Sequence, residues 1–125
     1  MSLRKDYAET FAKFIRENGL APSNMWRGKF GLTPEDDTNI FKGEKCKFYG
    51  IPFSKSSDDH GWNGLVKLYS PRFIQVWYEQ RDYPSNYRFT HSRVFDNLVN
   101  AIMYLDLYFI KNSFAQANAL KVKEV

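Results

Sequence analysis

The sequence predicts a single α+β domain over residues 1–125, with an antiparallel sheet of about four strands packed against an N-terminal helix and a long C-terminal helix. Three observations lead there. Apolar residues recur at helical spacing near both ends of the chain, and the middle alternates at strand spacing between clusters of Gly, Pro, Asn, Asp and Ser. The third is size: 125 residues with 43% apolar and 26% charged composition are globular values, enough for one core.

Leu3, Tyr7, Phe11, Phe14 and Ile15 form one stripe, which predicts an amphipathic helix over 3–18 with Ser2 as N-cap and Gly19 as the stop. Pro22, Gly28 and Gly31 break the next stretch, from which Met25, Trp26 and Phe30 can still be buried. Thr33-Pro34-Glu35-Asp36 sets a capping threonine before a first-turn proline and acids, so a short helix from Pro34 to about Lys42, ended by Gly43, is expected. Lys45 to Tyr49, Leu65 to Ser70, Phe73 to Gln80 and Asn86 to Thr90 read as four strands. Ser70-Pro71-Arg72 and Asp82-Tyr83-Pro84-Ser85 are short enough to turn hairpins. In the third strand Ile74, Val76 and Tyr78 share the core face, and Gln75, Trp77 and Glu79 share a partly wet one.

From Arg93 to Lys111 the helical period returns, with Phe95, Leu98, Val99, Ile102, Leu105 and Phe109 on one face. Ile74, Val76, Phe95, Leu98, Val99, Ile102 and Leu105 are the expected shared core. Residues 113–125 are expected to extend this helix or fray. The one long irregular stretch is Ser54 to Gly64, a polar loop carrying Trp62.

No apolar run reaches the 18 or so residues of a membrane span, and the N-terminus is polar, which predicts a cytosolic protein. The single cysteine, Cys46, excludes an internal disulfide or a cysteine-rich zinc site. The net charge of +4 comes from scattered Lys and Arg, with two acidic clusters, Glu35-Asp36-Asp37 and Asp58-Asp59. Lys47-Phe48-Tyr49 and Tyr87-Arg88-Phe89 interleave aromatic and basic residues, so a nucleic-acid-binding sheet face is the alternative reading.

Catalytic chemistry needs a nucleophile with a base, or a metal with its ligands. His60 and His91 have no second histidine at helical spacing. Cys46 beside Phe48 and Tyr49 reads as a small buried hydrophobe, Asp58-Asp59-His60 as a turn, and Glu79 and Asp82 around Arg81 as salt-bridging residues. The glycines of 28–31 and 61–64 lack the spacing of a phosphate loop. The expectation is no catalytic residue, no metal and no cofactor.

Ile74-Gln75-Val76-Trp77-Tyr78-Glu79-Gln80-Arg81-Asp82, Arg88-Phe89-Thr90-His91-Ser92 and Phe95-Asp96-Asn97-Leu98-Val99-Asn100-Ala101-Ile102, with the turn Tyr49-Gly50-Ile51-Pro52, resemble small bacterial immunity proteins of polymorphic and contact-dependent toxin systems. The resemblance covers the C-terminal half to two thirds of the chain. It implies a non-catalytic, stoichiometric inhibitor of a cognate toxin domain. Immunity proteins against nucleases are frequently acidic, whereas this chain is net basic, so contact would fall to local acidic patches. The expected partner-binding residues are Asp58, Asp59 and Trp62, then Glu35, Asp36 and Asp37.

Overall fold

The computed structural model describes residues 3–22, 34–39 and 44–123. Its elements run α1 (Leu3–Glu17), β1 (Pro34–Asn39), β2 (Glu44–Ser56), β3 (His60–Ser70), β4 (Phe73–Asp82), β5 (Arg88–Phe95), α2 (Leu98–Leu105), a π-helical turn (Asp106–Ile110) and α3 (Phe114–Asn118). The expected cap Ser2, the stop at Gly43, and Met25, Trp26 and Phe30 lie outside the described residues.

The strands form one antiparallel meander in the order β1-β2-β3-β4-β5. Cross-strand register puts Ile51, Val66, Val76 and Arg93 in one row and Tyr49, Leu68, Ile74 and Phe95 in the next, so these residues share a face. The core half of the predicted alternation in β4 holds, with Ile74, Val76 and Tyr78 fully buried on this face. Gln75, expected on the partly wet face, is buried too, its amide donating to Ser92 Oγ at 2.8 Å. Ala8, Phe11, Ala12 and Ile15 of α1 join the same core as Ala101, Tyr104 and Leu105 of α2. Gly19, at φ 72°, ends α1 in the left-handed conformation that glycine adopts without penalty, and Leu20 N–H returns to the Ile15 carbonyl at 2.9 Å.

Four expectations need correction. Pro34–Asn39 is a strand, not a helix: it pairs antiparallel with β2 from Pro34 opposite Tyr49 to Asn39 opposite Glu44, and this ladder, made with a distant part of the chain, overrides the local helix-start signature. The polar stretch from Ser54 to Gly64 is no long loop, because β2 runs to Ser56 and β3 begins at His60, leaving only residues 57–59 as the turn. The last helix starts at Leu98, not Arg93. β5 continues through Phe95, and the Asn97 side chain then caps α2 by accepting from the Asn100 N–H at 2.8 Å. Finally, Val99 is 63% exposed and leaves the predicted core, while Leu98 and Ile102 are only partly buried.

The C-terminal helix is accordingly short, and it closes in a wide turn, with Lys111 N–H donating to the Asp106 carbonyl at 2.9 Å. Tyr108 and Phe109 both face the core from this turn. Asn112, at φ 54°, stops it, and Ser113 N–H bonds back to the Leu107 carbonyl at 2.7 Å. Lys55 of β2 donates its ammonium to the Phe109 carbonyl and to Asn112 Oδ1, fastening the turn to the sheet. Of the tail expected to extend the helix or fray, the described residues 113–123 do neither: α3 buries Ala117, and Lys123 N–H bonds the Val94 carbonyl of β5 at 2.6 Å.

Candidate interaction surface at the hairpin end of the sheet

Because His60 is in register with Asp82, the β2–β3 and β4–β5 turns meet at the same end of the sheet. The first turn is closed by Ser57 N–H to the His60 carbonyl at 2.7 Å, and Asp58 and Asp59 stand exposed at its tip. The second is closed by Asp82 N–H to the Tyr87 carbonyl and Asn86 N–H to the Asp82 carbonyl, each at 2.8 Å, with Asn86 at φ 61°. Asparagine tolerates that conformation better than most residues.

Two bonds tie the turns together. Tyr83 N–H donates to the Asp59 carbonyl at 2.8 Å, and His60 Nδ1 lies 2.7 Å from Asp82 Oδ1. Gln80 Nε2 donates to the same Asp82 oxygen at 3.0 Å. Those hydrogen bonds, Gln80's first and then His60's, hold the Asp82 carboxyl below the usual carboxylate range. Tyr83 and Tyr87 project from the second turn, the latter 65% exposed, and the Arg81 guanidinium sits 5.8 Å above the Tyr83 ring.

A carboxylate-oriented imidazole can move a proton at its free nitrogen. The nearby Ser57 hydroxyl, however, meets His60 through the backbone N–H and carbonyl, not through the ring. The pair serves as a pin between strands. Among the described residues no three His, Cys, Asp or Glu side chains gather as a metal site would require. Also among them, no helix is long and apolar enough to cross a membrane.

The predicted site residues separate. Asp58 and Asp59 are on this surface, whereas Trp62 is 5% exposed and packs inward, 6.0 Å from the Phe109 ring and 6.4 Å from that of Tyr108. Trp62 was expected on an exposed loop; β3 turns it to the helix side instead. Glu35, Asp36 and Asp37 lie in β1 opposite Phe48, Lys47 and Cys46. From Lys47 to Ser56, which pairs with Gly61 beside the other acidic cluster, β2 advances about 30 Å, so the two clusters occupy opposite ends of the sheet.

The structure adds Arg81, Tyr83 and Tyr87 to the surface. Their signal in the sequence was the Asp82-Tyr83-Pro84-Ser85 turn itself, once pairing sets it beside Asp58-Asp59. The aromatic and basic residues of the two interleaved segments do not lie on one open face. Phe48 and Tyr49 are both buried, and Arg88 reaches toward Glu79 at 3.9 Å.

Behind the surface a ring ladder runs inward, Tyr87 to Phe89 at 5.6 Å, Phe89 to His91 at 4.9 Å and His91 onto Tyr78 at 4.8 Å. Burial, reinforced by Arg93, pushes the His91 pKa below its ordinary value, and His91 Nε2 is buried with no hydrogen-bond partner. The unfolded chain therefore binds this proton more readily than the folded one, so stability rises with pH across the interval between the two pKa values. Lowering the pH below about 6.5, the usual histidine value, should lower the guanidinium midpoint. His91→Phe should flatten that dependence, and an equally steep one in the variant would remove His91 as its source.

No family model matches the chain, and neither does a curated protein or a solved structure.

Proposed function

We propose that this chain is an immunity-type inhibitor, which binds a cognate toxin domain one to one and neutralises it without chemistry of its own. The observation that carries the reading is the hairpin end of the sheet, where two turns are tied by Tyr83–Asp59 and His60–Asp82 bonds into one surface. Preorganisation of this kind lowers the entropic cost of association. The surface presents the residue types that anchor interfaces, with Arg81 over the Tyr83 ring, an exposed Tyr87 on the same turn, and the acids Asp58 and Asp59 on the neighbouring turn. A toxin with a cationic pocket would meet these acids at close range, where they count for more than the distant net charge of +4.

The test is co-purification of the tagged chain from the cells that make it, with identification of what accompanies it. A one-to-one complex with a toxin domain is the expected result, and its absence would overturn the reading. The triple variant Asp58→Ala/Asp59→Ala/Tyr87→Ala alters only exposed side chains and should keep its fold. It should weaken the complex at least about a hundredfold, the effect of roughly 2.8 kcal/mol at a hot spot. Full affinity in that variant would move the interface elsewhere.

A further inference from the structure

We infer that two copies of this chain associate edge to edge through β5, antiparallel about a two-fold axis at Thr90, so that their sheets become continuous. The sheet has two edges, and they differ. β1 opens with Pro34 and carries Glu35, Asp36 and Asp37, features that keep an edge from pairing. β5, from Arg88 to Phe95, has neither proline nor lysine and pairs with β4 in unbroken register.

Two backbone bonds establish which groups of β5 face outward. Tyr87 gives its carbonyl to Asp82 N–H, on the β4 side, and by the alternation of an antiparallel ladder Phe89, His91 and Arg93 also turn toward β4. Val94 gives its carbonyl to Lys123 N–H, on the far side, so the even-numbered residues face away from the sheet. Arg88, Thr90 and Ser92, all exposed, hold outward N–H and C=O groups with no partner among the described residues. The free stretch is bounded at one end by the bend at Asn86. At the other it is bounded by Arg93, held 3.1 Å from Asn118 Oδ1, and by the Lys123 contact at Val94.

A second copy fits this stretch in one register. With Thr90 opposite Thr90 of the other copy, Arg88 stands opposite Ser92, and every outward N–H meets an outward carbonyl. Moving the axis to Phe89 brings in the bend at Asn86, and moving it to His91 brings in Val94, whose carbonyl is taken. An axis at Arg88 would set two guanidinium groups face to face. The Thr90 register alone uses all three free residues and opposes no like charges.

Sedimentation velocity across a concentration series tests the inference. The full chain should be a dimer that dissociates on dilution. Thr90→Pro should be monomeric with an unchanged circular dichroism spectrum, because the N–H that proline removes points outward and takes no part in the β4 ladder. A wild-type chain that stays monomeric up to its solubility limit, or a dimer that survives Thr90→Pro, would overturn it. Should Thr90→Pro fail to fold, a nitroxide attached at Thr90→Cys in a Cys46→Ser background decides the matter. Spin–spin broadening that disappears on dilution with unlabelled chain supports the Thr90 axis, and an unbroadened spectrum excludes it.

Discussion

Trp62→Ala is expected to lower the stability of the folded chain by about 3–5 kcal/mol, the usual loss for a buried tryptophan. The ring is 5% exposed and packs among His60 at 5.4 Å, Phe109 at 6.0 Å and Tyr108 at 6.4 Å. Removing it empties the space between β3 and the π-helical turn, where a fully buried Phe109 and a Lys55 bonded to its carbonyl leave little freedom to collapse. Its Nε1 has no hydrogen-bond partner, so Trp62→Phe forfeits volume but no polar contact and should cost distinctly less. Guanidinium denaturation reads both variants, with the midpoint falling and the m-value unchanged. A loss below about 1 kcal/mol for Trp62→Ala would place the ring outside the core. The result bears on function as well. Asp58→Ala/Asp59→Ala should impair partner binding in a stable protein, whereas Trp62→Ala should impair it only through the folded fraction.

What was legible in the sequence was periodic. The alternation of Ile74, Val76 and Tyr78 places them in the core because a period of two admits only two faces, and Gly19 ends α1 at a positive φ as its position announced. The misreadings arose where local signals competed with pairing. Pro34-Glu35-Asp36-Asp37 carries a helix start in its own chemistry, but its partners on the strand opposite, from Cys46 to Tyr49, lie nine to fifteen residues away and are invisible to a local reading. Ser54 to Gly64 reads locally as a loop because it is almost wholly polar, yet Phe53, Lys55 and Trp62 turn to the helix side, Lys55 to bond the Phe109 carbonyl, and alternate with Ser54, Ser56 and Asn63. Apolar spacing alone carries the last helix back to Arg93 and overruns Asp96-Asn97, the capping pair that marks its true start. Of the candidate surface, Asp58 and Asp59 were visible as exposed turn acids. Tyr83, Tyr87 and Arg81 were not, since their nearness to those acids depends on the register of β3 against β4.

Gly64→Ala should be costly for a reason no periodicity reveals. Gly64 lies in β3 directly between Phe53 of β2 and Tyr78 of β4, on the face that carries the core. Phe109 packs 5.0 Å from the Phe53 ring and 5.2 Å from that of Tyr78, which leaves these rings no room to withdraw. A methyl group at Gly64 would come to 2.3 Å from Phe53 Cζ and 2.6 Å from the Trp77 carbonyl oxygen. The first contact requires a fully buried ring to move, and the second requires the β4 backbone to move. Overpacking usually costs 1–3 kcal/mol, and with backbone among the obstacles the loss expected here is about 3 kcal/mol or more. The modest gain in chain entropy that accompanies glycine replacement, about 0.5–1 kcal/mol, cannot offset it. Phe53→Leu, destabilising by itself, should recover part of the Gly64→Ala loss in the double variant, since both changes act on one space. Gly19→Ala provides the contrast: its methyl meets nothing within 4 Å, so only the positive φ is penalised, by about 1–2 kcal/mol. Urea titration of the four variants checks the ordering, and a Gly64→Ala chain as stable as the wild type would mean that β3 does not run between these two rings.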